Sequence, residues 1–160
     1  MASITVDRPS PARGAAFRQG ARETMPLVVG AVPFALIFGA LATAGGFTVL
    51  ETVACSAFVF SGSAQFIAVN LVAAGADLSI IWFATLVVNL RHLLYTVTLL
   101  PGVRRFPLAW RVPLAAMLTD ETFAIVDARR RREGDTPNAQ WHFLGSCLAL
   151  WVNWVAATAV

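Results

Sequence analysis

One arginine in the middle of an apolar stretch constrains this chain more than any other feature. The stretch runs from Leu78 to Val103, and its centre reads V-N-L-R-H-L-L-Y over Val88–Tyr95. About 20 apolar residues suffice for a helix across a bilayer, so the run is long enough to span one. Yet it carries Asn89, Arg91, His92 and Tyr95 at mid-depth. An arginine there costs roughly 2.5–3.5 kcal/mol on insertion scales and more in simulations. A chain that keeps one must pair it, hydrate it or use it. Thr85, Asn89, His92 and Thr96 follow helical spacing and form one polar stripe, with Arg91 and Tyr95 on a second face. On a membrane helix such stripes face the bundle interior or water.

The rest of the chain agrees with a membrane setting. Hydrophobic residues make up 58% of it, mean hydropathy is +0.68, and only 13% of residues are charged, against about 25% in soluble domains. The apolar residues come in long blocks where a soluble domain would show amphipathic periods. The pattern predicts an all-α, polytopic helical membrane protein with about five apolar segments, one of them re-entrant or broken. All 12 cationic residues are arginines. All but Arg91 gather at the edges of apolar blocks, where they set orientation in a membrane, so the net charge of +3 does not point to nucleic acid. The run Arg129–Arg132 reads as a solvated cytoplasmic loop, with binding to anionic lipid as the sharper alternative. Cys55 and Cys147 lie inside apolar blocks and read as buried free thiols. No spacing of Cys, His and carboxylates resembles a metal site, and no cofactor is expected.

In chain order, residues 1–24 read as a polar cytoplasmic arm broken early by Pro9 and Pro11, with Gly14–Glu23 as an interfacial helix. Residues 25–160 read as the transmembrane domain. Its first block, Met25–Leu50, carries Pro33 as an expected kink. Ala35, Gly39 and Thr43 form a small-residue strip suited to close packing, and Gly45-Gly46 makes the turn. The second block, Thr52–Ala76, has F-S-G-S-A-Q-F at Phe60–Phe66. Ser61 and Gln65 share a helical face. Two readings stand: a close-packed helix glued by Ser and Gln, or a discontinuous helix whose freed backbone groups meet a substrate. The last block, Phe143–Val160, is preceded by Trp141-His142 at an expected interface belt, and Asn153 is its strongest polar side chain. It ends inside an apolar run, which predicts a C-terminally incomplete domain.

The fourth block, Phe106–Val126, holds Asp120-Glu121 in L-T-D-E-T-F. Arg91 lies about as far before the turn at Phe106-Pro107 as Asp120 and Glu121 lie after it. An antiparallel hairpin brings them to similar depth, so Arg91 or His92 is expected to pair with Asp120 or Glu121. The alternative makes the two carboxylates the flank of an interfacial helix. If blocks one to four each cross once, the N-terminal arginines and Arg129–Arg132 share the cytoplasmic side, while Arg104, Arg105 and Arg111 fall outside. A re-entrant second block would gather all of them inside, but only if block four does not cross. Simple crossing is the favoured reading.

Four stretches together carry a family resemblance: G-A-V-P-F-A-L-I-F-G-A-L (Gly30–Leu41), F-S-G-S-A-Q-F (Phe60–Phe66), N-L-R-H-L-L-Y (Asn89–Tyr95) and L-T-D-E-T-F (Leu118–Phe123). In order and spacing the chain resembles the AzlC-type large subunit of branched-chain amino-acid permeases. The resemblance implies a cytoplasmic-membrane exporter of valine, leucine, isoleucine or related neutral amino acids, with a small AzlD-type membrane subunit as partner. It also implies several further membrane segments. No G-x-x-x-x-G-K-[ST] occurs, so an ion gradient, most simply of protons, is the expected energy source.

Candidate substrate or ion-coupling residues are therefore Ser61, Gln65, Asn89, Arg91, His92, Tyr95, Asp120 and Glu121. A zwitterion needs a cation near its carboxylate and acceptors near its ammonium. Arg91 and the amides near Ser61–Gln65 suit the first, Asp120 and Glu121 the second. His92, Asp120 and Glu121 can carry a proton. Two other classes compete. One is a non-catalytic membrane scaffold in which Arg91 and the carboxylates only hold the fold. The other is an intramembrane serine hydrolase using Ser61 or Ser63 with His92, though no G-x-S-x-G elbow is present.

Overall fold

The computed structural model describes residues 12–160; Arg8, Pro9 and Pro11 of the expected arm lie outside them. Among the described residues there are eight helices: α1 (Arg13–Ala44), α2 (Val49–Phe58), α3 (Gly62–Ala73), α4 (Leu78–Asn89), α5 (Arg91–Val103), α6 (Leu108–Ala116), α7 (Asp120–Glu133) and α8 (Ala139–Thr158). The protein is an all-helical membrane protein. Two stretches, Arg13–Ala44 and Leu78–Val103, are long and apolar enough to cross a bilayer.

α1 and α8 run parallel and form the backbone of the bundle. Gly20 lies against His142, Thr24 Oγ1 donates to Ser146 Oγ at 2.7 Å, and Gly39 lies against Thr158, so the two helices stay in register along their length. A Cβ on Gly20 would sit 2.0 Å from the His142 carbonyl oxygen, and one on Gly145 would sit 2.1 Å from that of Phe17. Only glycine permits this approach, which is how membrane helices gain packing without a hydrophobic driving force between them. α1 runs unbroken through Pro26 and Pro33 and begins at Arg13. The segment expected as a separate interfacial helix, Gly14–Glu23, is thus the first part of α1. Of the small-residue strip, Ala35 and Gly39 are buried, but Thr43 is exposed and bonds its own Gly39 carbonyl.

The second block is broken, as one of the two open readings had it. α2 starts at a capping box in which Thr48 Oγ1 accepts from Glu51 N and the Glu51 carboxylate accepts from Thr48 N. It ends at Phe58, and α3 begins at Gly62. Ala73, at the end of α3, comes back beside Gly45 at the end of α1. α2 and α3 therefore form a hairpin that enters and leaves at the same end of the bundle. Leu78–Val103, expected as one helix, is interrupted at Leu90, where the amides of Leu90 and Leu93 bond three residues back.

Block four, read as one segment, splits at Met117–Thr119 into α6, of nine residues, and α7. The cause lies in the sequence: Thr119 caps α7, and Asp120-Glu121 occupy its first turn, where the helix dipole favours carboxylates. Both outer ends of this hairpin lie beside the end of α5. Arg105 pairs with Asp135 at 2.9 Å, and Arg130 Nη1 donates to the Thr98 carbonyl at 3.0 Å. Trp110 of α6 meets Trp141 at the start of α8. Arg104, Arg105 and Arg111 thus sit at the same end as Arg129–Arg132. The N-terminal end of α1 joins them through Glu23, which lies 3.4 Å from Arg132 Nη2 and accepts from buried His142 Nε2 at 2.9 Å. Gathering these arginines at one end of the bundle is what the re-entrant alternative expected. His142, expected at an interface belt, is an internal partner of α1.

Arg129–Arg132 is likewise not a loop. It forms the last turn of α7, held by i,i+4 pairs from Arg131 to Asp127 (2.6 Å) and Arg129 to Glu133 (2.9 Å). Gly134, at φ +71°, ends the helix.

Candidate functional site

The two hairpins enter from opposite ends, and their tips meet at the interruption in Leu78–Val103. Three helix starts converge there: α3 at Gly62, α5 at Arg91 and α7 at Asp120. Each start leaves unpaired backbone N–H groups and a partial positive charge. Arg91 joins the two tips. Its Nη1 pairs with Asp120 Oδ2 at 2.6 Å, and its Nη2 donates to Ser63 Oγ at 2.5 Å and to Ser61 Oγ at 3.5 Å. The expected partnership of Arg91 with a carboxylate of L-T-D-E-T-F is therefore present, and Asp120 both pairs and starts a helix. Tyr95 Oη donates to the other oxygen, Asp120 Oδ1, at 2.9 Å, while its ring stacks on Phe123.

These groups open onto a cavity of about 540 Å³, within the range of small-molecule sites. Ser61, Ser63, Arg91, His92, Asp120 and Glu121 supply its polar wall, and Phe34, Phe66, Ile67, Leu150, Trp151 and Trp154 much of its apolar wall. Arg91 Nε is buried with no hydrogen-bond partner among the described residues, as is Asn89 Oδ1. A buried donor without a partner is costly, so Arg91 has capacity for a further acceptor. Arg91 against Asp120 and Glu121 leaves one carboxylate in excess, offset by the helix starts.

The other candidates divide. Asn89, Tyr95 and Gln65 do not line the cavity. Gln65 is fully buried. Its Nε2 donates to the Val59 carbonyl at 2.9 Å and the Cys55 carbonyl at 3.2 Å, and its Oε1 accepts from Trp154 Nε1 at 3.0 Å. It ties the broken hairpin to itself and to α8. His92 Nδ1 donates to the Asn89 carbonyl at 3.1 Å, and Ser63 is engaged by Arg91. The Ser–His arrangement considered for a hydrolase is not formed by these contacts.

Sequence reasoning underrated three residues. Ser63 bonds Arg91 more closely than Ser61 does. Trp154 packs against Gly62, where an added Cβ would lie 3.0 Å from the indole. Thr119 starts α7, and the run T-D-E-T, a capping residue followed by an acidic first turn, was the available signal. Among the described residues no three His, Cys, Asp or Glu side chains gather as a metal site.

Residues 26–160 match the family model described as AzlC protein. The chain is 32% identical to the inner membrane protein YgaZ of Escherichia coli over 154 residues, which is 95% of this chain and 62% of that protein. It is 32% identical to an uncharacterized membrane protein of Archaeoglobus fulgidus, over 92% of this chain and 62% of that protein. With the branched-chain amino acid transport protein AzlC of Bacillus subtilis it shares 31% identity over 90 residues, 56% of this chain and 35% of that protein. No solved structure matches it. The chain thus spans about three-fifths of the length of the first two of these relatives. With the family model matched from the middle of α1 through the end of α8, this membrane protein belongs to the AzlC family.

Proposed function

We propose that this chain carries the substrate site of a secondary transporter for branched-chain or related neutral amino acids. One observation carries the reading: Arg91 and Asp120 meet where two broken segments converge, on a cavity with apolar walls. Broken helices at mid-membrane are the usual way transporters present backbone groups to a charged substrate. The relative from Bacillus subtilis, named for branched-chain amino acid transport, supports the substrate class.

The chemistry follows from the groups present. The substrate carboxylate binds Arg91, at Nε and the N–H groups opening α3 and α7. The ammonium faces Glu121, and the aliphatic side chain lies against Phe34, Phe66 and Ile67. A carboxylate arriving at Arg91 competes with Asp120 for the guanidinium. Released from Arg91, Asp120 takes up a proton, which couples substrate to a proton gradient. His92, on the same wall, is the second proton carrier. The arginine-rich end faces the cytoplasm, in line with the positive-inside rule, and transport runs outward. A small AzlD-type membrane subunit completes the transporter.

The test is efflux of labelled valine, leucine, isoleucine and methionine from cells loaded with dipeptides. The full-length protein is expressed with and without the small subunit, with an uncoupler as control. Partner-dependent, uncoupler-sensitive efflux is expected. No efflux of any of the four, with both proteins shown in the membrane, overturns the reading.

A further inference from the structure

A second cavity, of about 360 Å³, lies at the arginine-rich end, between the end of α5, α7 and the start of α8. It is separate in lining from the cavity at Arg91. Its walls are of two kinds. Leu99, Val103, Phe106, Val126 and Phe143 make an apolar side, and Arg105, Arg129 and Arg130 bring three guanidinium groups against one lining carboxylate, Asp135. Arg105 and Arg130 both pair with that carboxylate, at 2.9 and 3.6 Å.

Arg129 is the telling residue. It is only 5% exposed. Its Nε is bonded to Glu133 at 2.9 Å, yet its Nη1 is buried with no hydrogen-bond partner among the described residues. Counting Glu133 as well as Asp135, the three arginines still exceed the carboxylates by one. A buried, partly unsatisfied guanidinium lining a net-positive cavity favours an oxyanion, because charge-assisted bonds to phosphate or carboxylate are its strongest partners. The apolar wall beside it favours an anion attached to hydrocarbon. The setting, at the end of the bundle where the arginines of a membrane protein collect, is where phospholipid headgroups lie.

We propose that this cavity binds the phosphate of an anionic phospholipid headgroup, with Arg129 Nη1 as the buried donor, Arg105 and Arg130 at the rim, and the start of an acyl chain along Leu99, Val103 and Phe106. The site is independent of the transport reading.

The test is native mass spectrometry and thermal stability of the full-length protein in detergent. It is titrated with phosphatidylglycerol, with phosphatidylcholine, and with inorganic phosphate. Phosphatidylglycerol is expected to form a retained adduct and raise Tm, whereas phosphatidylcholine does neither. Arg129→Gln is expected to weaken phosphatidylglycerol binding by about tenfold or more. Gln140→Trp, which fills the cavity without changing charge, is expected to do the same and carries the test if Arg129→Gln fails to fold. Inorganic phosphate binding that both variants abolish, without a lipid adduct, overturns the lipid assignment and leaves an oxyanion site for a solute. Equal binding of the two lipids, or phosphatidylglycerol binding unchanged in Gln140→Trp, overturns the proposal.

Discussion

The hairpins α2–α3 and α6–α7 reach the same point from opposite ends of the bundle and arrive with opposite chemistry. The first is held by an amide: Gln65 satisfies the carbonyls of Cys55 and Val59 at the break and receives Trp154 in return. Its tip presents hydroxyls and a bare helix start. The second is held by a hydroxyl cap, Thr119 with Thr122, and its tip presents carboxylates. A neutral tip and an acidic tip leave room for one cation between them, and Arg91 occupies it. The contrast teaches that the break in the first hairpin is a structural solution with a functional edge, while the break in the second places the charge itself.

Substitutions at the tips should separate the two most sharply. In the proposed transporter Asp120→Asn is expected to lower efflux at least about 100-fold at equal protein in the membrane. Ser63→Ala, which removes only one neutral partner of Arg91, costs nearer tenfold. Efflux rates normalised to membrane protein check both. Similar losses would dissolve the distinction between the tips.

Stability should rank the other way. Gln65→Leu leaves the Val59 carbonyl and the Trp154 indole N–H without their partners, about 1–3 kcal/mol for each such group. Thr119→Ala removes one cap, about 1 kcal/mol. Thermal unfolding in detergent should therefore show the larger drop for Gln65→Leu. A smaller effect comes from Tyr95→Phe, which removes one hydrogen bond to Asp120 and keeps the ring stacked on Phe123. A few-fold loss of efflux is expected, with Tm shifted by only a few degrees.

The smallest effect lies at the outer ends of the hairpins. The Thr48 backbone N–H and hydroxyl hold the Glu51 carboxyl below its ordinary value of 4.5. At Glu133 burial alone would raise the value, but hydrogen bonds from Arg129 and Arg132 outweigh it and lower it from 4.5. A folded-state value below the unfolded one gives stability that is present above about pH 4.5 and is lost as pH falls through the folded value. Melting curves between pH 6 and pH 3 should thus show Tm falling, and Glu133→Gln should flatten that fall more than Glu51→Gln, because two guanidiniums face Glu133.

Much of the site was legible in the sequence, and the reasons are physical. An arginine inside an apolar run must be paired, hydrated or used, and counting outward from Phe106-Pro107 offered Asp120 or Glu121 at its depth, of which Asp120 makes the pair. The break at Val59–Ser61 was legible as one of two readings, because small polar residues serve both tight packing and unwinding. Topology was harder. Block four is apolar enough to read as one segment, and its break lay in Thr119, whose effect as a cap depends on what surrounds it. The burial of Arg129 and His142 was not legible at all. A charged residue near a helix end reads as solvated until the partner from another element, Glu133 or Glu23, is placed beside it.

The central claim is that Arg91 and Asp120 act on substrate and do not merely brace the fold. Efflux of labelled leucine and thermal stability should be measured together for Arg91→Ala, Asp120→Ala and the double variant. Removing one partner leaves a charge uncompensated, and removing both relieves it. The double variant is expected to regain the Tm that either single variant loses while efflux stays abolished. Recovery of efflux in the double variant would contradict the claim and leave the pair as a brace.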